Sequence, residues 1–196
     1  MRNKMILKGA VVKLLQERII QLRAWGKVYN VSIFTISTLL VLLWTTFILY
    51  QAAQPFEKQD LRPFLENVVS EERLGEMLPR VEFYYGKSRI TYQKPYNFVH
   101  FFLRKKGHFI IYAVLAFLLI QQQLLYKRDA ARAFALALVI VLAVAVVDEG
   151  MQYFSTGRSG MFLDVLLDIS GTIPVLLWLS FRQGKLRVHA KISSQI

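Results

Sequence analysis

The chain has 196 residues, 55% of them hydrophobic, a formal net charge of +12 and no cysteine. A soluble domain of this size would struggle to hide so much apolar surface, because most of a small protein's residues touch solvent. The lack of cysteine excludes disulfide frameworks, thiolate metal sites and thiol nucleophiles, and the placement of the basic residues speaks for a membrane topology signal over a nucleic-acid footprint.

In chain order, the first segment, residues 1–30, sets Leu7, Val11, Leu15, Ile19 and Leu22 at helical spacing among Arg2, Lys4, Lys8, Lys13, Arg18, Arg23 and Lys27. A basic amphipathic helix lying on the anionic inner leaflet fits this pattern; a charged tail that only sets topology fits it equally. Val31 to Tyr50 is long and apolar enough to cross the roughly 30 Å hydrocarbon layer. It lies too far from the start for a cleaved signal peptide and lacks a small-residue cleavage pattern, so it is expected to stay in the mature protein.

Residues 51–107 read as a loop with structure of its own. Arg62 to Leu78 suits a short amphipathic helix ended by Pro79, and VEFYYGKSRITY alternates around Gly86 and Lys87 as a β-hairpin would. Asn97 to Leu103, NFVHFFL, has the aromatic character of an interfacial stretch. Three further apolar runs follow, His108 to Leu125, Arg132 to Val147 and Asp164 to Phe181, forming a three-span core over residues 108–181 before a basic tail, 182–196.

Lys127, Arg128 and Arg132, like Arg182, Lys185 and Arg187 in the tail, belong in the cytoplasm by the positive-inside rule. The expected fold is therefore an all-α membrane protein: a four-transmembrane-helix bundle with both termini cytoplasmic, a basic amphipathic N-terminal segment and a long extracytoplasmic loop carrying the hairpin.

Chemistry is concentrated at the ends of the apolar runs. Ionisable groups at the edge of the hydrocarbon are costly unless paired or wetted, which makes them functional-site hypotheses. Lys105, His108 and Tyr112 are spaced by three and four and share one helix face; alternatively His108 is a packing residue, and Lys105 with Arg104 and Lys106 snorkels to lipid phosphates. Asp148 and Glu149 close span three, where either shares a face with Gln152.

Arg158 stands in the following turn, where its planar fork suits a phosphate or a carboxylate. It serves a ligand there, or it clamps Glu149 or Asp164 to fix two helices. Asp164 and Asp168 lie four apart on span four, and two acids so placed call for a cation, a proton, or Lys105 and Arg158 between them. Gly171 would let a neighbouring helix approach, and Pro174 would open a kink beside the site.

Under the charge-derived topology these groups converge on one pocket open to the outer leaflet. Glu149, His108, Asp164 and Asp168 are its acid–base candidates; Lys105, Tyr112, Gln152 and Arg158 are its ligand-binding candidates. Their donor set also suits a divalent ion, but Lys105 and Arg158 are expected to neutralise the acids without one, so neither metal nor cofactor is called for.

These motifs together resemble the VanZ-like family of small bacterial membrane proteins. Its Lys-x-x-His-Phe-x-x-Tyr looks like Lys105, His108, Phe109 and Tyr112, and its Glu-x-x-Gln, Arg, Asp-x-x-x-Asn/Asp-x-x-Gly series looks like Glu149, Gln152, Arg158, Asp164, Asp168 and Gly171. The resemblance runs from about Phe98 to Leu179. Met151 stands where many members have His, and the basic N-terminal segment and the long loop look like additions.

The resemblance implies a multi-pass protein of the bacterial cell membrane, of a family whose named member gives low-level resistance to teicoplanin. Its expected partners are membrane lipids or a lipid-linked envelope precursor, with a lipoglycopeptide antibiotic as a further one, and no nucleic acid. Two other readings stand beside binding: an intramembrane transferase or hydrolase acting on a lipid-linked phosphate or acyl group, with Glu149 or His108 as base, and a proton-coupled carrier titrating at Asp168. Four spans without repeat symmetry count against the carrier, because alternating access generally uses two related halves.

Overall fold

The computed structural model describes residues 31–126, 129–155 and 161–181. Four helices are long and apolar enough to cross a membrane: α1 (Val31–Ala53), α4 (Pro95–Leu125), α5 (Ala130–Phe154) and α6 (Phe162–Phe181). The loop between the first two holds a 3-10 turn at Phe56–Gln59, helices α2 (Arg62–Val68) and α3 (Glu71–Met77), and strands β1 (Glu82–Tyr85) and β2 (Ser88–Thr91). The basic N-terminal segment, Arg158 and the basic tail lie outside the described residues.

The chain divides into two units, Met1–Leu40 and Val41–Ile196. In the first, the described residues 31–40 are helical, and Thr35 and Thr38 hydroxyls donate to the carbonyls four residues back. A carbonyl one turn back is a ready acceptor for a hydroxyl in a hydrocarbon setting.

In the second unit α4, α5 and α6 pack pairwise against one another. Helix α5 shows how the sequence directs this. Its buried residues, Ala133, Ala137, Val141, Ala145 and Glu149, recur every fourth position, so one narrow face is nearly all small and lets its neighbours come close, as helices in lipid require. The remaining faces expose Val139, Leu142, Val146 and Val147, a coat suited to acyl chains and not to water. Leu115, Ala116, Leu119 and Ile120 of α4 and Val165, Val175 and Leu179 of α6 complete the core, to which α1 adds Val41 and Ile48. Trp44 of α1 donates its indole N–H to the Ile111 carbonyl at 3.0 Å.

Three expectations are corrected. The span placed at His108 to Leu125 begins thirteen residues earlier, because Pro95 sits in the first turn and presets it, and NFVHFFL forms its opening turns. The third span likewise runs on from Val147 to Phe154 and carries its acids inside the helix. The single helix expected from Arg62 to Leu78 is two: Val69 is extended, and Ser70 starts a new helix by accepting from the Arg73 amide, with Glu71 and Glu72 in its first turn.

The hairpin forms where expected, Tyr85 opposite Ser88, with Gly86 and Lys87 as its two-residue turn. Gly86 has φ 59°, and a Cβ there would stand 2.8 Å from the Met161 Sδ. Gly86→Ala is therefore expected to cost about 1–2 kcal/mol in backbone strain and to loosen the hairpin from Met161, so trypsin should cut at Lys87 several-fold faster. An unchanged cleavage rate would mean that the turn is not held against α6.

Candidate functional site

The polar groups are laid out as a ladder along α4. Residues three and four apart on a helix face the same way, and each member of the Lys105, His108, Tyr112 series meets a carboxyl group from another helix. Lys105 Nζ pairs with Asp164 Oδ1. His108 Nδ1 stands 3.2 Å from Asp168 Oδ1, and the Tyr112 hydroxyl donates to Asp148 Oδ2 at 2.7 Å. The acids are buried at 3%, 0% and 3% exposure for Asp164, Asp168 and Asp148, a burial that only such partners make tolerable.

Each rung has outer support. The hairpin reaches in to the first rung: Tyr85 donates its hydroxyl to Asp164 Oδ1 at 2.5 Å, and its ring lies 4.5 Å from Lys105 Nζ. Burial first, and then this hydrogen bond, push the Tyr85 phenol well above its usual range, so it remains a donor. At the third rung Gln152 Nε2 donates to Asp148 Oδ1 at 2.8 Å, and Arg104 donates to Gln152 Oε1 at 2.9 Å. Glu149 Oε2 accepts from the Met161 amide at 2.9 Å, while its Oε1 is buried with no partner among the described residues.

The structure thus gathers Lys105, His108, Tyr112, Glu149, Gln152, Asp164 and Asp168 at the loop end of α4, α5 and α6; Arg158 is outside the described residues. Asp148, expected as one of the helix-end acids sharing a face with Gln152, is the acid that Tyr112 and Gln152 hold. Two contributors were not among the expected site residues. Arg104 was read as a snorkelling cation but turns inward, which its position four residues before His108 could have suggested. Tyr85 comes from 79 residues away in sequence, and no local pattern announces it.

Above the ladder lies a pocket of about 330 Å3 walled by Phe56, Arg62, Arg89, Phe101, Arg104 and Lys105, with Met161 and Asp164 also on its lining. Asp60 grips Arg62 through both carboxylate oxygens, and the hydrogen bonds from Arg62 hold the Asp60 carboxyl below its ordinary pKa. Glu82 holds Arg89 similarly, at 2.7 and 2.8 Å. Arg104 differs: its described partner is a neutral amide, and its Nε is buried without a partner among the described residues.

Four helices apolar enough to cross a membrane, three of which bring together a buried ladder of paired acids, define a polytopic membrane protein with a polar site at one end of α4, α5 and α6. The VanZ/LLP1 family model matches residues 37–182, and the chain belongs to that VanZ-like family. The matched range spans the loop and hairpin. No curated protein and no solved structure matches the chain.

Proposed function

We propose that this VanZ-type protein sits in the bacterial cell membrane with its ladder and pocket toward the outer leaflet, where it binds an anionic, lipid-linked ligand and thereby lowers sensitivity to lipoglycopeptides such as teicoplanin. The observation that supports this most is Arg104. A guanidinium beside a pocket of ligand size, with a neutral hydrogen-bond partner, the Phe56 ring at 5.9 Å and a buried N–H unpaired among the described residues, is suited to a phosphate or carboxylate oxygen. The aromatic wall of Phe56 and Phe101 gives an amphiphile's apolar portion a surface, and the basic first segment and tail orient the pocket outward.

A second reading, an enzyme acting on the lipid-linked phosphate or acyl group, draws on Glu149. Its Oε1 is buried without a partner among the described residues, and its Oε2 holds Met161, a residue of the pocket lining, which sets a candidate general base one residue behind the pocket wall.

The test is teicoplanin and vancomycin susceptibility in a sensitive Gram-positive host expressing the wild type, Arg104→Gln, Glu149→Gln or Asp168→Asn at matched membrane levels. Protection against teicoplanin and not vancomycin, lost in Arg104→Gln and partly kept in Glu149→Gln, supports binding. Complete loss in Glu149→Gln together with a changed lipid species in wild-type membranes supports the enzyme. No protection by the wild type, and membrane lipids that do not change, would sink both.

A further inference from the structure

The second and third rungs hold more carboxyl groups than the described cations answer. Among the described acids Lys105 pairs with Asp164, and Arg104 turns to Gln152, which leaves Asp148 and Asp168 with the hydroxyl of Tyr112, the amide of Gln152 and the ring of His108. One nitrogen of His108 and one oxygen each of Asp148 and Asp168 lie within 4.8 Å of one another, contributed by three different helices. Asp168 is wholly buried, and its Oδ2 has no partner among the described residues.

We propose that His108, Asp148 and Asp168 form a binding site for one divalent metal ion of the Mn2+ or Zn2+ class. An imidazole nitrogen with two carboxylate oxygens is a mixed donor set that suits ions between the hard and borderline types. Ligands bonded at about 2.1 Å in tetrahedral array stand roughly 3.4 Å apart, and the His108 and Asp168 atoms are already at 3.2 Å. The Asp148 oxygen lies within 4.8 Å of both, so the set closes when the three side chains draw together around an ion.

Two further features favour an ion. Asp148 is oriented by Tyr112 and Gln152, and Gln152 by Arg104, an outer shell of the kind that fixes metal-ligating carboxylates. A cavity of about 30 Å3, room for a water-sized occupant, also borders two of the three ligands, His108 and Asp148; Ile48, Gln51, Ala52 and Gln59 line its other side, and Asp168 is not on its lining. The ion would join α4, α5 and α6 at one point, and the inference does not rest on the lipid ligand proposed above, because metal binding is read without it.

The full chain, purified in detergent and stripped with EDTA, is incubated with Mn2+ or with Zn2+, freed of excess by gel filtration and analysed for metal per chain. About one ion per wild-type chain is expected. It should be lost in the near-isosteric Asp168→Asn and Asp148→Asn, weakened roughly 10-fold or more in Tyr112→Phe as an outer-shell change, and kept in Asp164→Asn. Circular dichroism and the elution profile show which variants are folded.

Neither ion retained by the folded wild type, or equal retention after Asp148→Asn and Asp168→Asn, overturns the site. Uptake that appears only in Arg158→Gln also overturns it, by showing that a guanidinium takes the place.

Discussion

Lys105→Met should destabilise the protein by about 3–5 kcal/mol, the usual cost of removing one partner from a buried ion pair. The side chains of Lys105 and Asp164 are 13% and 4% exposed, and without the ammonium Asp164 keeps only the Tyr85 hydroxyl among its described side-chain donors. Replacing the pair by apolar residues of similar volume removes the stranded charge, so Lys105→Met/Asp164→Leu should recover most of the loss. The measurement is reversible unfolding in mixed micelles for the wild type, both single variants and the double. A single variant within about 1 kcal/mol of wild type, the scale of an exposed pair, would show that this rung does not hold α4 to α6. The double variant is expected to fold yet give no protection against teicoplanin, because the cation and acid at the pocket floor are gone.

Among the described helical glycines, Gly171 should tolerate an added methyl group, as in Gly171→Ala, least. Its Cβ would stand 2.6 Å from the Phe109 carbonyl oxygen and 2.9 Å from the Ala113 amide nitrogen, both backbone atoms of α4 that no rotamer change can move. Helix α6 must back away, at a cost of about 1–3 kcal/mol from overpacking, and Asp168, three residues earlier, is drawn off His108. Gly150→Ala in α5 is the control, since nothing lies within 4 Å of a Cβ there; better helix propensity should leave it neutral or stabilise it by up to about 1 kcal/mol. Equal unfolding midpoints for the two alanine variants would contradict the close approach.

Much of this was legible because it depends on short-range rules. The hairpin follows from alternation around Gly86 and Lys87, and the four spans from apolar length. The Lys105, His108, Tyr112 face follows from helical spacing, as does the pairing of Asp148 or Glu149 with Gln152.

What escaped was the start of α4, because Arg104, Lys105 and Lys106 look like the end of a span when charge is counted. In the folded chain Arg104 and Lys105 point into a pocket and the helix runs on past them. The break at Val69 was readable in principle, since a β-branched pair followed by Ser-Glu-Glu is a helix-start signal. Tyr85 was not readable, because its meeting with Asp164 is decided by where the hairpin folds back, a tertiary matter that no local propensity encodes.

Helix α4, at 31 residues, is about 46 Å long at 1.5 Å per residue, some 16 Å more than the hydrocarbon it crosses. With that excess at the loop end of the helix, its first ten or so residues would stand at the depth of lipid headgroups, with Arg104 and Lys105 at the boundary. An amphiphile anchored by its tail would meet them by sliding sideways in its own leaflet, never crossing bulk water. Occupancy of such a site would follow the mole fraction of the amphiphile among the lipids, so a dose expressed per volume of medium would misstate it whenever the membrane area changes.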